Sequence, residues 1–495
     1  MNTCRLLGSD VLSLLTADLY DVAMPEPSSA RKASGISGAF RGAWQRRWER
    51  QDFTELLARN WLWVGVAAVL FIYTNGAVFY LAKHVLNRGG HWEDPAVWLM
   101  FVVAGVLVIV LWTVGIFTEH LLGQSNAPLD QSGVDRLALS RWVRDRLALW
   151  AIATYSLVSL ISTFWSIDST ATLWRSLVYL GLPIAAVLIA NLELHQINKA
   201  VGMVGLTAVA LSLAAVEWRK WTAIDHNYDW KGIFTNRNSL APVAALGVLA
   251  CLGWVVKELR VLRARRALSD ANGLASRADG LAYGFETSAS ILRIVGAATG
   301  LVASAVTMIY AGSRTAAVGL LLAVGVATLG RLWYRTDTKR WLIWLGALGV
   351  SVFGVFLYRT WNEPTLAQRR EMWDLLWEYI IDRPLHGWGY FAFWDVPELT
   401  YTHVLLGRGS AHNSFVETAV GLGLLGLVPM VVIVGLAVRN LTLQLRADQG
   451  VLSWWWAATI MFLLVENLTE SFVLWFSYNW VLVMVAALRK PVPIE

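Results

Sequence analysis

The chain has 495 residues, of which 56% are hydrophobic and only 15% are charged. Soluble domains carry about 25% charged residues, so this composition excludes a single soluble core and implies an integral membrane protein with many spans. The net charge of +6 is not read as a nucleic-acid signature, because the basic residues cluster in the gaps between apolar runs, where they face anionic lipid.

Two cysteines, Cys4 and Cys251, exclude a disulfide framework, and neither CxxC nor His-rich spacing points to a metal. No metal and no cofactor is therefore expected. The 28 tryptophans fit a chain with many span ends, since the indole ring favours the membrane–water interface.

The N-terminal stretch MNTCRLLGSDVLSLLTADLYDVAM resembles a signal peptide, but Asp10 and Asp18 interrupt its apolar core, so it is read as uncleaved. Residues 1–60 form a cytoplasmic N-terminal segment. Within it, 39–59 carries Phe40, Trp44 and Trp48 among arginines, as an interfacial amphipathic helix or a solvated basic linker.

Residues 61–490 form a multi-helix membrane domain with twelve apolar runs. They lie near 61–82, 96–118, 147–165, 171–190, 199–216, 239–256, 291–311, 314–332, 341–358, 413–437, 451–468 and 473–488. The fold class expected is an all-α polytopic membrane protein of about twelve transmembrane helices. Placing both termini in the cytoplasm puts RGAWQRRWER, RWVRDR, KELRVLRARR and RTDTKR on the inside, as the positive-inside rule requires.

On that topology Arg314, the Asn236–Asn238 stretch and His412 share the outer face. Arg314 opens the apolar run GSRTAAVGLLLAV at the end opposite to inner-face anchors. It is either an anion ligand or a side chain that snorkels to lipid phosphate. Asn236 and Asn238 flank Arg237, and amides suit hydroxyl-rich ligands. The segment 359–411 is a large extracytoplasmic loop between the ninth and tenth spans. Leu366, Trp373, Leu376, Trp377 and Ile380 give it one amphipathic helix, closed by Pro384. PLHGWGY then turns back toward the membrane.

His412 and Asn413 precede an apolar helix that Ser414 can cap. Gly421, Gly423 and Gly426 give this helix a small-residue face. Glu466 and Glu470 sit at the outer end of the eleventh run, where costly carboxylates are either functional or paired with a nearby arginine. Several cations and one imidazole beside lipid suit a polyprenyl-diphosphate sugar. Arginine binds phosphate oxygens bidentately, and the glycosyl carbon needs an activated hydroxyl. A transporter for a small anion or a lipid-linked glycan is the alternative of another class. Against it, the chain has no convincing internal repeat and its polar residues cluster at one face.

The stretches LISTFWSIDSTATLWRSLVYL, GIFTNRNSLAPVAAL, YAGSRTAAVGLLLAV, RREMWDLLWEYIIDRPLHGWGY, SAHNSFVETAVGLGLLGL and ENLTESF occur in one order over residues 155–490. Together they resemble the O-antigen ligase and O-antigen polymerase superfamily. The resemblance implies a metal-independent membrane glycosyltransferase of the type C class in the cytoplasmic membrane of a bacterium, with its active site outside. It implies a lipid-linked glycan donor, a glycan or glycolipid acceptor and membrane lipids as partners. Its essential histidine maps to His412, its helix-start arginine to Arg314 and its loop arginine to Arg369. Its earlier-loop arginine maps to Arg237, with Arg219 as the alternative. Ligases and polymerases share these motifs.

Overall fold

The computed structural model describes residues 66–67, 70, 136–218, 223–224, 228–234, 236–272, 277–335, 364–396, 409–448, 450–471 and 477–489. The segment 39–59 and the runs 96–118 and 341–358 lie outside the described residues, as does most of the run 61–82. Among the described residues the protein is helical, and its only extended pairing is the single bridge between Ile224 and Trp230.

The helices in chain order are α1 (Arg136–Ile161), α2 (Ser169–Tyr179), α3 (Gly181–Ala190), α4 (Leu194–Trp218), α5 (Arg237–Asn272) and α6 (Arg277–Tyr310). They continue as α7 (Arg314–Arg335), α8 (Pro364–Asp382), α9 (Ser414–Ala447), α10 (Val451–Asn467) and α11 (Tyr478–Leu488). Seven helical stretches among these residues are long and apolar enough to cross a membrane, and α10 and α11 are shorter apolar helices.

Among the described residues, 255–295 make one compact unit and the remainder another. In the first, Arg293 pairs with Glu258 at 3.7 Å and Arg265 Nη1 donates to Ser290 Oγ at 3.5 Å, joining the two helical segments. In the second, α7 packs along α10, α9 against both α1 and α11, and α11 against α3. Tyr155, Tyr179, Tyr390 and Trp480 stack at its centre, with ring centroids 5.4 to 6.1 Å apart. The Trp480 indole N–H donates to Tyr179 Oη at 2.9 Å, so the polar ends of these rings are partly satisfied inside the core.

Three elements differ from the sequence expectation. The run 171–190 is two helices, α2 and α3, meeting at Leu180. On α8 it is Met372 and Leu376 that are buried, with Trp373 and Ile380 partly so, while Trp377 faces outward. The third difference concerns α9. Gly423 leaves the helical conformation at φ 60°, ψ −153°, so this glycine breaks the helix as well as packing closely.

The segment after α8 fills that break. Leu424 N donates to the Pro384 carbonyl at 2.9 Å and Leu425 N to the Leu385 carbonyl at 3.0 Å. In return Trp388 N donates to Val420 O and Gly389 N to Gly421 O, both at 2.9 Å. Irregular backbone inside a spanning helix is tolerated only where protein satisfies its polar groups, and these four bonds do so. A Cβ on Gly387 would lie 2.5 Å from the Gly421 carbonyl carbon, and one on Gly423 would lie 2.5 Å from the Leu385 carbonyl carbon.

The other side of the segment is tied to the α1–α2 corner. Trp165 Nε1 donates to His386 O at 2.9 Å, Ile167 N to Trp388 O at 3.1 Å, and Tyr390 N to Ser162 Oγ at 3.0 Å. Burial pushes the Tyr390 phenol well above its ordinary pKa, so it stays neutral.

Candidate functional site

The Glu470 carboxylate is the hub of the polar cluster. Glu470 follows the end of α10, and its amide donates to the Glu466 carbonyl at 2.8 Å, extending the last turn. One of its oxygens lies 2.7 Å from His412 Nδ1. The other accepts from Arg369 Nη2 and from Asn238 Nδ2, each at 3.0 Å. Arg369 Nη1 donates to the Thr469 carbonyl at 2.6 Å. These bonds use two of the five guanidinium N–H donors. Four separate segments, the start of α5, α8, the entry to α9 and the end of α10, thus meet at one carboxylate.

His412 has φ 50°, a left-handed backbone that a non-glycine residue adopts only when its surroundings hold it there. Its neighbours are held from several sides. Trp373 of α8 donates its indole N–H to the Ala411 carbonyl at 2.8 Å. Ala411 N and Trp394 Nε1 both donate to the Glu417 carboxylate. Asn413 N donates to Ser471 Oγ at 3.1 Å.

Asn413, rather than Ser414, is the N-cap of α9: its side-chain oxygen accepts from Phe415 N at 2.9 Å and Val416 N at 3.2 Å. Its Nδ2 donates to Leu468 O at 3.0 Å, which ties the cap to the end of α10. Ser414 instead donates its hydroxyl to Asn467 Oδ1 at 2.7 Å.

The remaining site residues predicted from sequence lie along a second chain of contacts. Asn236 caps α5, accepting from Ser239 N at 2.9 Å and Ser239 Oγ at 3.1 Å. Arg237 pairs with Asp229. Asp229 abuts Gly312, where an added Cβ would lie 2.6 Å from its oxygen, and Gly312 has φ 64°. Trp230 N donates to Tyr310 O at 2.9 Å, and the two rings stack 4.5 Å apart. The turn Gly312–Ser313 then releases Arg314, whose side chain is exposed at the start of α7. The TNRN loop, the GSR turn and the HNS entry are therefore connected: Arg237 reaches the GSR turn through Asp229, and Asn238 reaches His412 through Glu470.

Glu466 is 1% exposed, with Oε1 3.4 Å from where a Cβ on Gly319 of α7 would lie. That oxygen has no hydrogen-bond partner among the described residues. It does not join the Glu470 hub by any hydrogen bond among those residues.

Three residues of this region were not singled out from sequence. Arg175, 9% exposed within a spanning stretch, donates to the Phe391 carbonyl and sits 4.7 Å over the Phe391 ring. Glu417 is the acidic residue of the first turn of α9. Both are charges inside apolar runs, which is the signal that could have found them. Ser471 donates to Glu417 at 3.1 Å, and nothing in its local sequence marks it.

Among the described residues no group of three His, Cys, Asp or Glu side chains is arranged to hold a metal ion. No curated protein matches the chain. Residues 299–431 match the family model described as O-antigen ligase, a stretch that contains Arg314, Arg369, His412 and Glu417 and stops short of Glu470. That match supports a relation between this stretch of the chain and the O-antigen ligase-related superfamily.

Proposed function

We propose that the protein is a membrane glycosyltransferase. It moves a glycan from a polyprenyl-diphosphate carrier to an acceptor hydroxyl at the extracytoplasmic face of the bacterial cytoplasmic membrane. The observation that carries this reading is the 2.7 Å contact between His412 Nδ1 and a Glu470 oxygen whose partner oxygen accepts from Arg369 and Asn238.

In this reading the Glu470 carboxylate, paired with the Arg369 guanidinium, serves His412 as an acceptor. The neutral imidazole facing it therefore carries its proton on Nδ1 and keeps the Nε2 lone pair for substrate. This is the orienting logic of histidine–carboxylate pairs in general base catalysis. Nε2 takes the proton from the acceptor hydroxyl as its oxygen bonds to the anomeric carbon. The bond from that carbon to the phosphate oxygen breaks, and polyprenyl diphosphate leaves with the electron pair.

Arg314 and Arg369, with Arg237 beside them, stabilise the charge that develops on the diphosphate. Asp229 offsets part of the Arg237 charge, and Glu470 offsets part of the Arg369 charge. Asn236, Asn238 and Asn413 hold the TNRN loop and the histidine in place, and Glu466 keeps a carboxyl behind them. No metal or cofactor enters the scheme, because the energy of the reaction resides in the donor.

The deciding experiment replaces His412 by Ala in cells that depend on this gene and profiles their envelope glycans and lipid-linked intermediates. Loss of transfer is expected, and full transfer would remove His412 from the mechanism. Full-length chains accumulating on the carrier indicate a ligase. Single repeat units indicate a polymerase, which uses the same chemistry to join units to one another.

A further inference from the structure

Glu417 lies in the first turn of α9 and is 2% exposed. Its carboxylate takes three hydrogen bonds from three different segments: Ala411 N, Trp394 Nε1 and Ser471 Oγ, the last at 3.1 Å. Ala411 immediately precedes His412, and Ser471 immediately follows Glu470. Ser471 Oγ also accepts from Asn413 N at 3.1 Å. The two amides that flank His412 are therefore both held by Glu417, one directly and one through Ser471.

We propose that Glu417 is a positioning residue that sets the His412 imidazole against Glu470. The proposal rests on the reading of His412 and Glu470 as a base and its orienting carboxylate. Three donors converging on one buried point need a group that only accepts, and a carboxylate has two oxygens for them. The first turn of a helix also favours negative charge. The strained backbone of His412 stays in place only while its neighbours over-determine it. Removing the Glu417 acceptor frees the amide of Ala411 and the hydroxyl of Ser471 together. His412 then relaxes from its left-handed conformation, and its ring moves off Glu470.

The test needs no glycan. The full-length protein is prepared with ring-15N histidine in lipid nanodiscs, and the Nδ1–H signal of His412 is assigned by its loss in His412→Gln. Glu417→Ala is expected to abolish or displace that signal while the signals of the other histidines stay where they are. Glu417→Gln, which keeps an acceptor oxygen at the same place, restores part of it. A wild-type His412 signal in folded Glu417→Ala overturns the proposal. Where Glu417→Ala does not fold, Ser471→Ala carries the same test: displacement of the His412 signal supports the proposal, and an unmoved signal overturns it. Because no donor or acceptor is present, this outcome is independent of whether His412→Ala cells still transfer glycan.

Discussion

His412 combines a strained backbone with a short contact to a carboxylate, and the role proposed for its ring rests on that contact. Glu470→Gln keeps the shape of the hub but gives Arg369 and His412 a neutral partner. Turnover is expected to fall by about 10²- to 10⁴-fold, the range of a mispositioned general base. A transfer assay on membranes that leaves the rate within twofold of wild type would return Glu470 to a packing role. Arg314→Lys keeps the charge and loses the planar fork. A loss of about tenfold or more in transfer is expected if the fork binds phosphate, whereas lipid snorkelling predicts no change. At this scale the sequence was informative about single residues and silent about their partners. His412, Asn238 and Glu470 were legible as polar groups at apolar edges, and Arg369 through the family resemblance. That one oxygen pair joins them was not, since the bonds cross 58 to 232 positions of chain.

The glycines of α9 have different jobs at the same helical spacing. Gly423 is broken out of the helix and closely approached by Leu385, while Gly435, further along α9, has nothing within 4 Å of an added Cβ. Gly423→Ala combines a left-handed backbone with a clash and is expected to cost about 1–3 kcal/mol or more. Gly435→Ala is expected to be neutral or to stabilise by up to about 1 kcal/mol. Melting of the two variants in detergent separates them, and equal melting temperatures would contradict the inserted-segment geometry. Periodicity registers both glycines alike as small residues on a helix. The difference comes from Pro384–Gly389, a segment thirty-odd residues earlier in the chain, so no local pattern could reveal it.

For the molecule as a whole, hydropathy identified the class, and seven spanning stretches together with the O-antigen ligase domain bear it out. Sidedness remains a matter of charge distribution, and it makes a prediction of its own. A fluorescent protein that matures only in the cytoplasm, fused after Glu495, is expected to fluoresce. A cysteine introduced at Gly409, next to the His412 entry, is expected to react with a membrane-impermeant thiol reagent added to the intact inner membrane from outside. Dark cells or an unreactive cysteine would invert the topology. The break in α9 also bears on how the protein is made. The carbonyls of Pro384 and Leu385 reach the ribosome exit before any residue of α9 does, and two of the amides of α9 donate to them. The break in α9 can therefore close onto a segment already delivered, whereas the polar hub waits for Glu470, which follows α10.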